Sequence, residues 1–296
     1  MTPYVLSAPP AAVAPSNPRN TQAPAAPSIL SPANYQFLQR YVYTESGIVL
    51  DDDKQYLLES RLTPILRTHS IQSLNALTAL LVQRNSPALA KLVVEAMTTN
   101  ETLFFRDPAM FEALQAHVIP DLVQKIKGTR KLRIWSAAAS SGQEAYSVAM
   151  MLLEMGMGRF DTEIVGTDLS SQVLDRAREA KYMQFEVGRG LPTRYLMKYF
   201  ERKGLEWQVL SEVRNMVRFE QMDLRHSFTH LGRFDLILCR NVLIYFDTPT
   251  KTKIVSALRD LLTPGSQLVL GCAETVINLH AEFRRTSIGQ STFYSL

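Results

Sequence analysis

The ten residues Thr98-Thr99-Asn100-Glu101-Thr102-Leu103-Phe104-Phe105-Arg106-Asp107 combine an amide, two carboxylates, three hydroxyls, a guanidinium and two adjacent aromatic rings. Polar groups of so many kinds could grip a polar ligand. The structural alternative is a capped helix start, with Thr99 or Asn100 as N-cap and two core phenylalanines. Three segments downstream bear on the choice.

The first is Ser136-Ala137-Ala138-Ala139-Ser140-Ser141-Gly142-Gln143-Glu144, which follows a short apolar run. Its small side chains let a ligand approach the backbone. It lacks the G-x-G-x-x-G pattern of nicotinamide dinucleotide sites and the G-K-[ST] of a phosphate loop. Glu144 suits a cation better than a phosphate. The second is Gly166-Thr167-Asp168-Leu169-Ser170. An acidic residue ending the second strand of an open α/β sheet commonly binds ribose hydroxyls; the alternative is that Asp168 or Ser170 N-caps the next helix. A ligand with a ribose, a cationic group and no phosphate is S-adenosylmethionine. The third is Cys239-Arg240-Asn241-Val242-Leu243-Ile244-Tyr245-Phe246-Asp247. There Asn241 can hydrogen-bond a ligand and Tyr245 offers a phenol, or the segment is a strand exit with a core Tyr245-Phe246 pair.

The elements that must position these groups follow from periodicity. Eight of the 15 prolines lie in the first 32 residues, where Arg19 is the only charged side chain, so residues 1–31 are expected to be a disordered tail. Residues 32–97 read as a small all-helical domain, with apolar positions at 3–4 spacing such as Leu58, Leu62 and Ile65, or Leu89, Val93 and Met97. Lys54, Arg61 and Arg67 of its second helix form a solvated face or a recognition surface for an acidic helix. Residues 98–128 read as a linker and connecting helix. From residue 129 to 296, strands alternate with helices, which argues for a mostly parallel sheet covered on both faces. The strands are expected near 132–135, 163–167, 217–221, 234–239 and 267–271, with Thr292 to Tyr294 as a final edge strand. Residues 191–222 break the rhythm and fit a small β insertion.

Composition sets limits. With 46% hydrophobic and 20% charged residues and no apolar window of membrane-spanning length, the chain reads as globular, without direct membrane insertion. No secretory leader is visible, and a cytoplasmic location is expected. The net charge of +4 comes without a dense run of Lys or Arg, so a nucleic-acid partner is not expected. Cys239 and Cys272 both lie in apolar runs and read as buried, reduced thiols. The histidines are scattered, and no metal site is expected.

The four segments in this order resemble the CheR family, the chemotaxis receptor glutamate O-methyltransferases. The shared motifs are T-T-N-E-T-x-F-F-R-D, S-A-x-x-S-x-G-x-E-x-Y-S-x-A-M, G-T-D-L-S and C-R-N-V-L-I-Y-F, and the resemblance covers nearly everything after the tail. It implies a helical N-terminal domain followed by a Rossmann-like class I S-adenosylmethionine-dependent methyltransferase domain. It implies that Asn100, Thr102 and Arg106 contact the cofactor or close over it. It further implies that Glu144 holds the methionine amino group and Asp168 the ribose, and that Asp223, Leu224, Asn241 and Val242 line the adenine and methyl-donor side. Arg106 and Tyr245 are the implied positioners of a substrate carboxylate, and the implied partner is the cytoplasmic helical domain of a chemoreceptor. The chain departs from the common family pattern at Ala139, Ser141, Gln143 and Ala145, and in Gly271-Cys272-Ala273-Glu274. The short turn at Gly204 resembles members that need no C-terminal tether peptide on the receptor, and a monomer is expected. Methylation of RNA or a small molecule, and a non-catalytic S-adenosylmethionine-binding module, are the competing readings.

Overall fold

The computed structural model describes residues 30–296. The tail expected over 1–31 lies outside these residues except for its last two. Leu30 is buried against the helical core, and the Ser31 hydroxyl accepts from the backbone N–H of Asn34, so both belong to the helical unit.

That unit comprises α1 (Pro32–Ser46), α2 (Gln55–Thr68), α3 (Leu74–Gln83) and α4 (Pro87–Met97). α1 and α4 open on proline, whose missing N–H is no loss in a first turn. Ser73 and Ser86 cap α3 and α4 by accepting from Ala76 N and Leu89 N. The predicted apolar stripes meet: Leu38, Val42, Leu58, Leu62, Leu77 and Val93 are fully buried in one core. Arg61 departs from the solvated or recognition face expected of it. Its guanidinium donates to Met97 O at 2.6 Å and Thr99 Oγ1 at 2.9 Å, which satisfies a carbonyl left open at the end of α4.

Neither Thr99 nor Asn100 starts a helix. Residues 99–103 are irregular, and α5 (Pro108–Ala113) begins only after Asp107. It continues through a π-helical turn at Leu114–Val118 into α6 (Ile119–Ile126).

The α/β unit then runs β1 (Leu132–Ala137), α7 (Gln143–Glu154), β2 (Thr162–Asp168), α8 (Ser171–Glu179), β3 (Lys181–Met183), α9 (Gln184–Val187), α10 (Thr193–Tyr199), β4 (Phe200–Lys203), β5 (Glu206–Val209), α11 (Ser211–Arg214), β6 (Val217–Gln221), β7 (Phe234–Cys239), α12 (Thr248–Asp260), β8 (Leu262–Leu270), β9 (Arg284–Ile288) and β10 (Ser291–Ser295). The main sheet has the order β6-β2-β1-β7-β8-β10-β9, parallel through β8 and antiparallel beyond. Two findings differ from the sequence reading there. β10 is not the edge, because β9 pairs outside it; β9 is mostly exposed, so no apolar pattern announces it. The small sheet β3-β5-β4 begins at Lys181, well before residue 191, and β6 belongs to the main sheet. Cys239 is buried as expected, but Cys272 is exposed in the loop after β8. No helix among the described residues is long and apolar enough to cross a membrane.

The two units dock through named contacts. Tyr43 Oη donates to Asp247 at 2.7 Å, Val49 N donates to Tyr245 O at 2.9 Å, and Arg225 Nη1 donates to Thr44 O at 2.9 Å. The Tyr245 ring packs on the helical core. Phe104 reaches the other way, edge-on to Tyr182 and Phe200, and Gly190 lies against its carbonyl. Gly190 has φ +82°, and a Cβ there would sit 2.1 Å from Phe104 O. Gly190→Ala is therefore expected to lower stability by at least about 1 kcal/mol, read as a lower urea midpoint at unchanged slope.

Candidate active site

β1, β2, β6 and β7 end at one cleft. Ala137 is paired with both Thr167 and Cys239, so β1, β2 and β7 finish level. The chain steps from β1 to β2 and on to β6 on one side, then returns to β7 on the other. Loops diverge at this reversal and leave a crevice. Residues of the Thr98–Arg106 segment cover it from the helical side. All the sequence candidates line this one cleft: Asn100, Thr102, Arg106, Glu144, Asp168, Asp223, Leu224, Asn241, Val242 and Tyr245.

The loop after β1 folds back tightly, with Ala138 and Ser140 at φ 65° and 51°, a region that costs a non-glycine residue about 1–3 kcal/mol. Gly142 then opens α7 and puts Glu144 in its first turn, where the helix dipole favours an anion. Glu144 is already engaged on both oxygens, accepting from Ser136 Oγ at 2.7 Å and Arg240 Nη1 at 2.9 Å. A carboxylate has about four acceptor positions, so an ammonium can still bind.

Asp168 is 7% exposed at the end of β2 and accepts from Ser140 N at 2.9 Å and Ser170 N at 3.0 Å. Burial pushes its pKa above the ordinary 3.8; the backbone N–H bonds oppose that rise, and the charge of Glu95 adds to it. Ser170, not Asp168, caps α8, through its hydroxyl to Val173 N. Asp223 is tied to Arg225, whose guanidinium also reaches Thr44 O and Glu45 O on α1. Beside it, Leu224 adds apolar wall.

Asn241 sits at φ 58°, and the carboxylate of Glu274 gathers the loop around it. Glu274 accepts from Gly271 N and Asn241 N at 2.7 Å, Val242 N at 2.9 Å and Ile244 N at 3.3 Å. A Cβ on Gly271 would lie 2.7 Å from Asn241 Nδ2, so only glycine leaves the amide its place.

The Phe104-Phe105 pair anchors the covering segment in the α/β core. Phe105 N donates to Ser147 Oγ at 2.9 Å, and its ring lies 4.9 Å from that of Phe111 and 4.7 Å from that of Tyr195. Both phenylalanines are thus core residues, while the polar members of the same segment face the cleft. Arg106 makes only a 3.5 Å contact to Glu101 O, and no carboxylate among the described residues pairs with it. Arg240 is engaged through both Nη atoms, to Glu144, to Asp107 at 3.6 Å and to Arg106 O at 3.0 Å, while its buried Nε has no hydrogen-bond partner.

Three structurally important residues escaped the sequence reading: Arg240, Glu274 and Glu95. Arg240 lay inside a quoted motif, and Glu274 lay in a segment noted only as a departure. Glu95 carries no signal beyond its i,i+4 partner Lys91.

The donor set fits a cationic adenosine ligand. Carboxylates follow three separate strands, Glu144 after β1, Asp168 at the end of β2 and Asp223 after β6, small residues line the backbone between the first two, Leu224 and Val242 are apolar, and no lysine lines the cleft. Residues 100–291 match the family model described as CheR methyltransferase, SAM binding domain, and residues 33–98 match CheR methyltransferase, all-alpha domain. Chemotaxis protein methyltransferase 1 of Pseudomonas aeruginosa is 40% identical over 268 residues, covering 88% of this chain and 97% of that protein. Chemotaxis protein methyltransferase Cher2 of Pseudomonas putida is 38% identical, with 90% and 99% covered. Chemotaxis protein methyltransferase 1 of Vibrio cholerae is 37% identical, with 90% and 98% covered.

We propose that ribose hydroxyls donate to Asp168 in its ionised form, where the raised pKa lets a proton compete earlier than at an ordinary aspartate. Affinity for S-adenosylhomocysteine is therefore expected to be full above that raised pKa and to fall as pH drops through it; calorimetry from neutral into acid pH reads this. Asp168→Asn should bind weakly and lose the pH dependence. Glu274→Ala strips an acceptor from four backbone N–H groups and is expected to cost about 1–3 kcal/mol, measured by denaturant unfolding.

Proposed function

Because the chain belongs to the CheR methyltransferase family, we propose that it transfers a methyl group from S-adenosylmethionine to glutamate carboxylates on the cytoplasmic helical domain of chemoreceptors, the modification used in sensory adaptation. The observation that carries the acceptor side is Arg106. It lines the cleft without a carboxylate partner, whereas Arg240 beside it is neutralised by Glu144 and Asp107. An incoming carboxylate has one unspent guanidinium to meet.

A glutamate with pKa near about 4.3 is ionised at neutral pH, so the reaction needs no general base. S-adenosylmethionine supplies a methyl group on a cationic sulfur and leaves as S-adenosylhomocysteine. The chain's work is to bind, align and exclude water. Asp168 accepts from the ribose hydroxyls and Glu144 from the ammonium. Asp223-Leu224 and Asn241-Val242 flank the adenine and the methyl-donor side, and Asn100, Thr102 and Arg106 close the cleft. In-line alignment of two reactants in a closed site is worth roughly 7–11 kcal/mol. Arg106 suits the positioning role because a guanidinium presents a planar fork to a carboxylate. A bidentate guanidinium grip would also stabilise the ground state strongly, so a single Arg106 contact supplemented by the weaker, neutral Tyr245 hydroxyl serves better. The two-residue turn Gly204-Leu205 between β4 and β5 supports a receptor interaction that needs no C-terminal tether peptide.

Incubation with labelled S-adenosylmethionine and purified chemoreceptor cytoplasmic domains should give base-labile label on a receptor. Cofactor binding with no labelled receptor across a broad panel would sink the proposal. Arg106→Ala is expected to lose about 100-fold in rate while its affinity for S-adenosylhomocysteine weakens less. Tyr245→Phe should lose about tenfold with the fold retained, as judged by circular dichroism.

A further inference from the structure

α4 is buried on two opposite faces. Leu89, Val93 and Met97 recur at helical spacing and enter the helical core. Glu95 lies about 200° round the helix from Val93, at 100° per residue, yet is only 5% exposed. Its carboxylate crosses to the other unit. Oε1 accepts from Ser171 N and from Ser171 Oγ, both at 2.9 Å, and Oε2 accepts from Ser170 Oγ at 3.4 Å. Lys91, at 3.7 Å on the same helix, is its charged neighbour.

We infer that Glu95 is a positioning residue for the ribose end of the cofactor site, holding the loop between β2 and α8 so that docking of the helical unit sets cofactor affinity. The inference rests on the reading of Asp168 as the ribose ligand. Ser170 joins the two carboxylates: its N–H donates to Asp168 Oδ1 and its hydroxyl to Glu95. Ser140 closes the arrangement, donating its N–H to Asp168 and its hydroxyl to Asn100 O. Three residues after Glu95 the chain leaves α4 as the segment that covers the cleft, and Arg61 ties that exit down at Met97 O and Thr99 Oγ1. One helix end therefore fixes both the ribose loop and the start of the cover. An acceptor at the first turn of α8 also suits that helix's dipole. A buried carboxylate costs stability unless it is hydrogen-bonded; apart from Lys91, the partners that satisfy Glu95 are the last residue of the loop after β2 and the first residue of α8.

The test uses the full chain with S-adenosylhomocysteine as probe. Glu95→Ala is expected to raise its Kd about tenfold and to raise the KM for S-adenosylmethionine similarly, while kcat at saturation falls less than twofold. Ser171→Ala, which removes a hydroxyl but keeps the backbone N–H, should raise the Kd about threefold; it decides the matter if Glu95→Ala does not fold. A merely structural brace would lower the thermal midpoint of the free protein and leave Kd and KM unmoved, and that result overturns the inference. Asp168→Ala, measured alongside, separates the two readings. A large loss there with none at Glu95 removes only the present inference, whereas no loss at either removes the ribose assignment as well.

Discussion

A parallel sheet whose strands end in an open crevice leaves backbone N–H groups at its carboxyl edge with no ladder partner, and here carboxylates take them. Glu274 holds four such groups in the loops after β7 and β8, Asp168 holds two from the loops after β1 and β2, and Glu95 holds one at the start of α8. Buried N–H groups left alone would each be costly, and so would a buried carboxylate without donors. The two costs cancel where they meet. The loops around the cleft are consequently shaped by buried acids, of which Glu274 and Glu95 do so wholly through main-chain and hydroxyl donors of this chain.

That bracing also sustains unfavourable backbone. Phe105, Asp107, Ala138, Ser140 and Asn241 all adopt positive φ around the cleft. Such conformations persist only where surrounding contacts over-determine them. Asn241 is held by Glu274, Ser140 by Asp168 and Asn100, and Phe105 by Ser147 and an aromatic cluster. The covering segment is thus pinned at both ends, by Arg61 where it leaves the helical unit and by the Phe104-Phe105 pair where it enters the α/β core.

Charge at the site follows the same economy. Arg225 and Arg240 line or border the cleft but spend their guanidinium groups on Asp223, Glu144, Asp107 and main-chain carbonyls. Arg106 alone among these three lacks an acidic partner. The modest net charge of +4 says nothing of this, because what a carboxylate substrate meets is the local balance and not the total.

Much of the architecture was legible in the residues. Apolar spacing of 3–4 marked the four N-terminal helices, and buried runs marked β1, β2, β7 and β8, because periodicity records which side of an element faces the core. Glu144, Asp168, Asn241 and Tyr245 were legible too, since they follow strand ends, whereas Asn100, Thr102, Arg106, Asp223, Leu224 and Val242 were reached through the family resemblance. β9 was not, because it is mostly exposed and carries no burial pattern. Nor was the exposure of Cys272, which an apolar run on its N-terminal side concealed. Arg61 and Glu95 looked like ordinary helical surface. By itself, the sequence determined the elements that carry a burial pattern and the kinds of group available at the strand ends. Only the tertiary structure decided which of those groups are spent on one another: Arg240 meets Glu144 from 96 residues away and Glu95 meets Ser171 from 76. Hydrogen bonds and ion pairs act over a few ångströms, so their partners are set by how elements dock and leave no trace in local spacing.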